Sequence, residues 1–135
     1  MKNLSILLLF TALVFTNSCK KEDFTEPRER NSAKFLGVYY GNMVCGTTPS
    51  TNVFTIEDYE WDENKVFLLF DLYVLEATIS GNTFAFGRQS INDPQQGTLY
   101  LQGYGSISGN SLSMVFTAEI AATGASGTCT FNGSK

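Results

Sequence analysis

Apolar and polar side chains alternate along most of the chain after residue 34, a pattern typical of strands that bury one face. The clearest segment runs from Leu112 to Ile120, where every second position is apolar and Val115 is the one exception. Phe84 and Phe86 repeat the pattern earlier in the chain. This period of two predicts a domain built from half-buried β-strands.

Turn-forming residues divide this pattern at regular intervals. The tetrapeptide Ile-Ser-Gly-Asn occurs twice, at 79–82 and 107–110, each time between two alternating runs, and Gly-Asn favours a tight hairpin. Further turns are indicated at 62–64, 92–94 and 123–125. These breaks predict about eight strands, near residues 36–45, 52–58, 64–71, 73–80, 82–88, 97–107, 111–120 and 126–133.

Short strands joined by tight turns predict an all-β fold, an antiparallel meander of about eight strands. We expect the meander to close into a barrel, with a β-sandwich as the alternative. Residues 66–70 are apolar on both faces, so a short helix over 66–75 competes with a strand there. Their aromatic residues and Val favour the strand.

The first 18 residues have the pattern of a secretory signal peptide, with a positive start and an apolar run from Leu4 to Phe15. Cys19 follows, and the segment resembles the lipobox of bacterial lipoproteins, in which this cysteine carries a diacylglycerol group. The run is shorter than the about 20 residues that span a bilayer, so acyl chains would form the anchor. The alternative is an ordinary signal peptide with a cysteine nearby.

Charged residues crowd into the segment that follows, since residues 20–34 contain nine of them together with Pro27. Such a segment has too little apolar surface to pack and predicts a flexible tether. The chain therefore divides into a signal peptide (1–18), a lipidated N-terminus with its tether (19–34) and an antiparallel β-barrel domain (35–135). A domain of this size is expected to bury roughly 65% of its unfolded surface in one core.

Cys45 and Cys129 are the two cysteines that remain after Cys19. In an exported protein such a pair predicts one disulfide. Cys45 ends the first predicted strand and Cys129 lies in the first half of the last, so a closed meander places both at the same end. A disulfide there would join the first strand to the last, which favours the closed barrel. Two free thiols or a reactive pair are the alternative.

A family resemblance covers most of residues 35–135, which are similar to small lipocalin-like lipoproteins of Bacteroidetes. The matching features are Gly37-Val38-Tyr39, Cys45, Asn64-Lys65-Val66, the first Ile-Ser-Gly-Asn turn, Gly103 to Asn110, Leu112 and Thr128-Cys129-Thr130. The resemblance implies a lipocalin-like barrel. Tyr39 stands where true lipocalins have the Trp of a Gly-x-Trp start, and no arginine on the last predicted strand covers it.

The location of the protein is also implied by resemblance. Thr16 departs from the Leu, Val or Ile usual at that lipobox position, and this looser form resembles Bacteroidetes lipoproteins. In that group an acidic run such as Glu22-Asp23, just behind the cysteine, is associated with export to the outer face of the outer membrane. We therefore expect a lipid-anchored protein of the cell envelope, held in the outer membrane; the acidic run favours the outer face, and the inner face is the alternative.

Charge and composition limit the chemistry. From residue 35 onward the chain has nine acidic and three basic residues, so no basic stripe predicts nucleic-acid binding. The chain has no histidine, which removes Ser-His-Asp and Cys-His nucleophiles and imidazole metal ligands. A paired-carboxylate glycosidase needs a cleft that a small barrel without long loops does not offer. We expect no catalysis, no cofactor and no metal.

The densest chemistry lies in the acidic stretch from Glu57 to Glu63, which contains five carboxylates. A solvated loop is the simplest interpretation, and a calcium site is the alternative, although the spacing is not that of an EF-hand. Tyr59 and Trp61 share one face if this stretch is extended. Together with Tyr100 and Tyr104 they would offer flat surfaces to a sugar ring, unless these aromatics belong to the core or rim.

Two hypotheses of function follow. In the first, the barrel binds a small or lipophilic ligand. In the second, it is an accessory or interaction module that binds a protein or glycan through its acidic, aromatic surface. A cavity favours the first, and a filled interior with Tyr59 and Trp61 exposed favours the second. The side chains that would line or fill such a cavity are Phe84, Phe86, Met114 and Phe116.

Overall fold

The computed structural model of the protein describes residues 30–135, so the predicted signal peptide, Cys19 and most of the predicted tether lie outside the described residues. A short 3-10 helix, η1 (Ala33–Phe35), precedes eight β-strands. The strands are β1 (Gly37–Cys45), β2 (Thr48–Asp58), β3 (Lys65–Phe70), β4 (Tyr73–Ser80), β5 (Thr83–Asp93), β6 (Gly97–Ser108), β7 (Ser111–Ile120) and β8 (Ser126–Ser134).

Each strand pairs antiparallel with the next, and β8 pairs antiparallel with β1, so the sheet closes into a barrel in meander order. The predicted barrel is confirmed, and the alternatives of a sandwich and of a helix at 66–75 are wrong. Both predicted Gly-Asn hairpins are present. Gly81 and Gly109 take φ values of 60° and 56°, the positive values that tight hairpin turns require.

Two strands are longer than predicted. β2 begins at Thr48, because its first residues pair with the end of β1, where Thr48 lies opposite Cys45. On its other side β2 pairs with β3 only from Phe54 onward. β5 continues to Asp93 beyond an irregularity, since its register with β6 shifts between Phe86 and Gln89. The first residues of β2 are exposed and pair only with β1, so no apolar alternation marks them in the sequence. The extension of β5 alternates exposed and half-buried residues and packs Ile91 against the core, but its other half-buried residues are polar, so the apolar pattern does not mark it either.

Every strand contributes buried apolar side chains to one interior. Phe54 lies at its centre, with ring centroids 4.5 Å from Phe70, 4.6 Å from Phe131 and 6.4 Å from Phe116. Inward-facing glycine makes room for these rings, because a methyl group on Gly105 would overlap the ring of Phe84. Within the described residues, every buried apolar side chain of the core belongs to residues 35–131.

The segment before β1 plugs one end of the barrel, called here the η1 end. Phe35 is fully buried, with its ring edge-on to Phe84 at 6.2 Å. Tyr39 donates a hydrogen bond to the Phe35 carbonyl (2.8 Å), and the buried Ser32 donates to Asp58 (2.7 Å). Residues 30–34, which the sequence pattern placed in the tether, therefore lie against the barrel, because their polar side chains find specific partners there.

A cation covers the ring of Tyr39. Lys135, directly after β8, places its ammonium 5.2 Å from the ring centroid and donates to the carbonyls of Lys34 (3.1 Å) and Leu36 (2.7 Å). True lipocalins cover the corresponding ring with an arginine of the last strand. Here the cation is a lysine that follows the last strand, so that pattern did not predict it. It ties the end of β8 to the plug.

The β4–β5 seam has the shortest pairing, three residue pairs from Thr78↔Ala85 to Ser80↔Thr83. Where the backbone pairing of β4 with β5 has ended, the Gln89 side chain takes its place. It accepts a hydrogen bond from the Glu76 N–H (2.9 Å) and donates one to the Glu76 carbonyl (2.6 Å). Tyr73 donates to Asp93, and this hydrogen bond raises the pKa of Tyr73 to about 12 and lowers that of Asp93. Side chains thus close the seam where the ladder ends.

The predicted disulfide joins Cys45 and Cys129, which are direct cross-strand partners with Cα atoms 4.2 Å apart. It lies at the opposite end from η1, called here the disulfide end, and links the first strand to the last. Because it closes a loop of 84 residues, the chain-entropy model assigns it about 4.5 kcal/mol of stabilisation.

Candidate functional site

The interior of the barrel is filled. Phe84, Phe86, Met114 and Phe116, the side chains weighed as cavity lining, are at most 6% exposed. Three of them, Phe86, Met114 and Phe116, line a space of about 10 Å³ together with Phe54 and neighbouring residues. Pockets that hold small ligands typically measure about 300–1,000 Å³. The described interior therefore offers no room for a ligand, and the candidate binding sites of this barrel lie on its outer surface.

The most exposed aromatic side chain of the described region lies in the loop between β2 and β3, called here the Trp61 loop (residues 59–64). Trp61 is 82% exposed. Its ring stands edge-on to Tyr59 at 6.0 Å, and Tyr59 in turn lies 4.8 Å from Phe67 on the outer face of β3. The three rings form one continuous aromatic surface at the η1 end.

Arg30 holds this loop in place. Its guanidinium donates to the carbonyls of Tyr59 (2.8 Å) and Glu60 (3.1 Å) and lies 3.4 Å from the Asp58 carboxylate. Asp62 shapes the second half of the loop by accepting from the Asn64 N–H at 2.9 Å. Two independent sets of hydrogen bonds thus fix the backbone on either side of Trp61, and an exposed side chain on a fixed backbone suits binding.

The charge around the loop is mostly negative. Glu60 and Glu63 are exposed, and Glu57 is exposed on the adjoining strand β2. Lys65 is engaged with Glu76 at 2.5 Å, a hydrogen bond that raises the pKa of Lys65. Its ammonium also lies 5.4 Å from the Tyr59 ring centroid, so this one cation is shared between Glu76, the Tyr59 ring and the nearby Asp62.

Phe67 belongs to this site and was missed by sequence reasoning. The pattern of β3, apolar on both faces, carried the signal, because an outward-facing Phe on a strand needs a partner outside the core. The loop supplies Tyr59 as that partner. The two faces of β3 therefore have different roles, core inside and loop support outside.

The other two predicted site residues lie elsewhere. Tyr100 and Tyr104 are both on β6, which is four strands away from β2 in a ring of eight and thus on the opposite side of the barrel. The Arg88 guanidinium covers Tyr100 at 4.0 Å and pairs with Glu119 through two contacts, at 3.1 and 3.3 Å. That pairing raises the pKa of Arg88. The four aromatics thus do not form one platform, and Tyr100 has a structural partner.

The acidic stretch does not gather its carboxylates around one point. Within residues 30–135, no group of three or more Asp, Glu, Cys or His side chains is arranged to hold a metal ion. Asp58 and Asp62 serve the plug and the loop backbone instead. No helix in this part of the chain is long and apolar enough to cross a membrane.

Comparison with known proteins returned no match to a family model, to a curated protein or to a solved structure. The class of the protein is therefore defined by its fold, a closed eight-stranded antiparallel barrel with a filled interior.

Replacing Arg30 with Ala is expected to loosen the Trp61 loop, because it removes the hydrogen bonds to Tyr59 and Glu60. Trp61 is the single tryptophan of the chain, so time-resolved fluorescence anisotropy reports on this loop alone. We expect faster and wider motion of the indole with an unchanged far-UV spectrum. Arg88→Ala is the matched control, since it removes an arginine on another face. Equal anisotropy decays in wild type and Arg30→Ala would show that Arg30 does not fix the loop.

Proposed function

We propose that this chain is a lipid-anchored outer-membrane protein whose barrel is a non-catalytic interaction module, and that its Trp61 loop binds a basic region of an envelope protein. The exposure of Trp61 on a backbone fixed by Arg30 carries this proposal. The hypothesis of a small or lipophilic ligand gains no support from an interior of about 10 Å³.

The chemistry of the loop favours a cationic partner. An indole face attracts guanidinium and ammonium groups, and the exposed carboxylates of Glu60 and Glu63 lie on either side of it in the sequence. Tryptophan is enriched among the residues that dominate binding energy in protein interfaces. Acidic residues at the rim would speed association with a basic surface and make it sensitive to salt.

The position of the loop suits an envelope partner. Arg30 binds the loop and lies eleven residues after Cys19, a length of chain that reaches at most about 40 Å. With Cys19 lipidated, the η1 end is restricted to within that distance of the membrane surface. A partner of the loop is then a protein that resides at or near the same membrane.

Cys19→Ala tests the anchor. We expect the variant to fold, because the core and the disulfide lie within residues 35–131, and to appear in the soluble fraction after export. The measurement is cell fractionation with immunodetection, and Thr25→Ala serves as the control, since it changes the same N-terminal segment and leaves Cys19 and the disulfide in place. A Cys19→Ala protein that stays with the membrane would refute lipidation as the means of attachment.

Photo-crosslinking on intact cells tests the binding surface. A photoreactive residue at Glu63 is expected to give a specific adduct. Trp61→Ala in the same chain should weaken it roughly thirtyfold, the loss of about 2 kcal/mol typical of a dominant interface residue. A photoreactive residue at Leu72 is the matched control, since Leu72 is 83% exposed against 82% for Trp61 and lies at the disulfide end. No adduct at Glu63, or the same adduct from Leu72, would contradict the proposal.

A further inference from the structure

An open groove of about 540 Å³ crosses the outer face of β5, β6, β7 and β8. It lies on the side of the barrel away from the Trp61 loop and has no part in the proposed protein contact. Tyr104 stands at its edge and is 63% exposed. Every strand of this half of the barrel contributes side chains to it, so its shape is set by the sheet rather than by a loop.

The strand register arranges the groove as two parallel rows. One row consists of four residues, each the cross-strand neighbour of the next, namely Ala85, Tyr104, Val115 and Thr130. Three of these four are apolar or aromatic. The adjacent row is polar throughout, and its cross-strand partners are Thr83, Ser106, Ser113 and Asn132. Since neighbouring strands are about 4.8 Å apart, each row is roughly 14 Å long.

A second groove of about 290 Å³ adjoins the first on the other side of Tyr104 and Val115. Its polar side chains are those of Gln102 and Thr117, which are also cross-strand partners. The apolar row is therefore flanked by polar side chains on both sides. The two grooves together form one surface with Tyr104 at its centre, called here the Tyr104 groove.

None of the described residues that line either groove is charged. The nearest charged pair toward the disulfide end, Arg88 and Glu119, is engaged with itself and with Tyr100. The domain has nine acidic residues, so an anion would be repelled by the domain and would find no cation in the lining of the grooves. A neutral ligand meets neither obstacle.

The polar row is ready to form hydrogen bonds. Ser113 donates to the side-chain oxygen of Asn132 at 2.8 Å, which fixes the amide and leaves its nitrogen able to donate to a ligand. Thr83 donates to the carbonyl of Ser80 at 2.8 Å, so its hydroxyl oxygen still has acceptor capacity. Ser106 adds a hydroxyl that both donates and accepts. An alternating set of donors and acceptors suits a ligand covered with hydroxyl groups.

We propose that the Tyr104 groove is a binding site for a neutral oligosaccharide. Sugar rings carry apolar C–H faces and hydroxyl edges, and the groove offers an aromatic and apolar row beside hydroxyl and amide rows. A length of roughly 14 Å accommodates about three sugar units laid across the four strands. The ring of Tyr104 is exposed, and no Lys or Arg of residues 30–135 lies over it as Arg88 lies over Tyr100. This ring is the stacking surface, and the flanking side chains bind the hydroxyls.

Amide chemical-shift mapping tests this site on the chain from residue 20, which contains the whole described barrel. The probes are neutral hexasaccharides of β-glucan, α-glucan, mannan and xylan, with a galacturonan hexasaccharide as the anionic comparison. We expect at least one neutral probe to shift amides of the two rows, with Kd of about 1 mM or tighter. Trp61→Ala should leave this binding unchanged, which separates it from the proposed protein contact.

Tyr104→Ala is expected to weaken that binding about tenfold or more, a loss of roughly 1.4 kcal/mol. Tyr40→Ala is the matched control, because Tyr40 is also 63% exposed but lies on β1, outside both grooves. Ser113→Arg, which places a long charged side chain in the groove, should abolish binding while the spectrum stays dispersed. The proposal is overturned if no neutral probe shifts these rows, if Tyr104→Ala binds as wild type does, or if the galacturonan binds as well as the neutral probes.

Discussion

The volume inside a ring of eight strands is the constraint on which the rest of this structure depends. Alternate residues of every strand face that interior, and in this chain they include Phe54 and the three rings grouped around it, those of Phe70, Phe116 and Phe131. Eight strands enclose just enough space for side chains or for one small ligand. Large aromatic residues take that space here, so the described interior leaves no space of ligand size.

The two ends of the barrel are closed by different means. At the η1 end, Phe35 enters the barrel and Arg30 and Lys135 tie the preceding segment to the Trp61 loop and to the end of β8. At the disulfide end, Cys45 and Cys129 join the first and last strands. The plug therefore links the N-terminal end of the described chain to the most exposed aromatic residue of residues 30–135, and the disulfide joins the seam at the other end of the barrel.

Much of the fold was predictable because two patterns agreed. Alternation placed the strands, and the Gly-Asn turns and the cysteine positions specified a closed meander. The hydrogen bonds of the Gln89 side chain with the Glu76 backbone were not predictable. They take the place of backbone pairing between β4 and β5, and the local sequence does not show where that pairing stops. The packing of Arg30 and Ser32 was missed because a charge-rich segment is typical of a tether until its individual partners are known.

The candidate site was predictable in part. Trp61 and Tyr59 lie together, but in a turn and not in the extended segment that the sequence pattern assumed for them. Grouping them with Tyr100 and Tyr104 was wrong, and the predicted topology already carried the reason, since the second and sixth strands of an eight-stranded ring lie on opposite sides. The neutral rows around Tyr104 depend on the register of four strands, which alternation alone does not fix.

Native mass spectrometry of the chain from residue 20, exported to an oxidising compartment and purified gently, tests the central claim that the interior is filled. The account predicts the bare protein mass, two hydrogens lower than the reduced chain because of the disulfide. Additional mass that is released on denaturation, from a lipophilic molecule that Tyr104→Ala and Trp61→Ala both retain, would show an occupied interior and contradict the account.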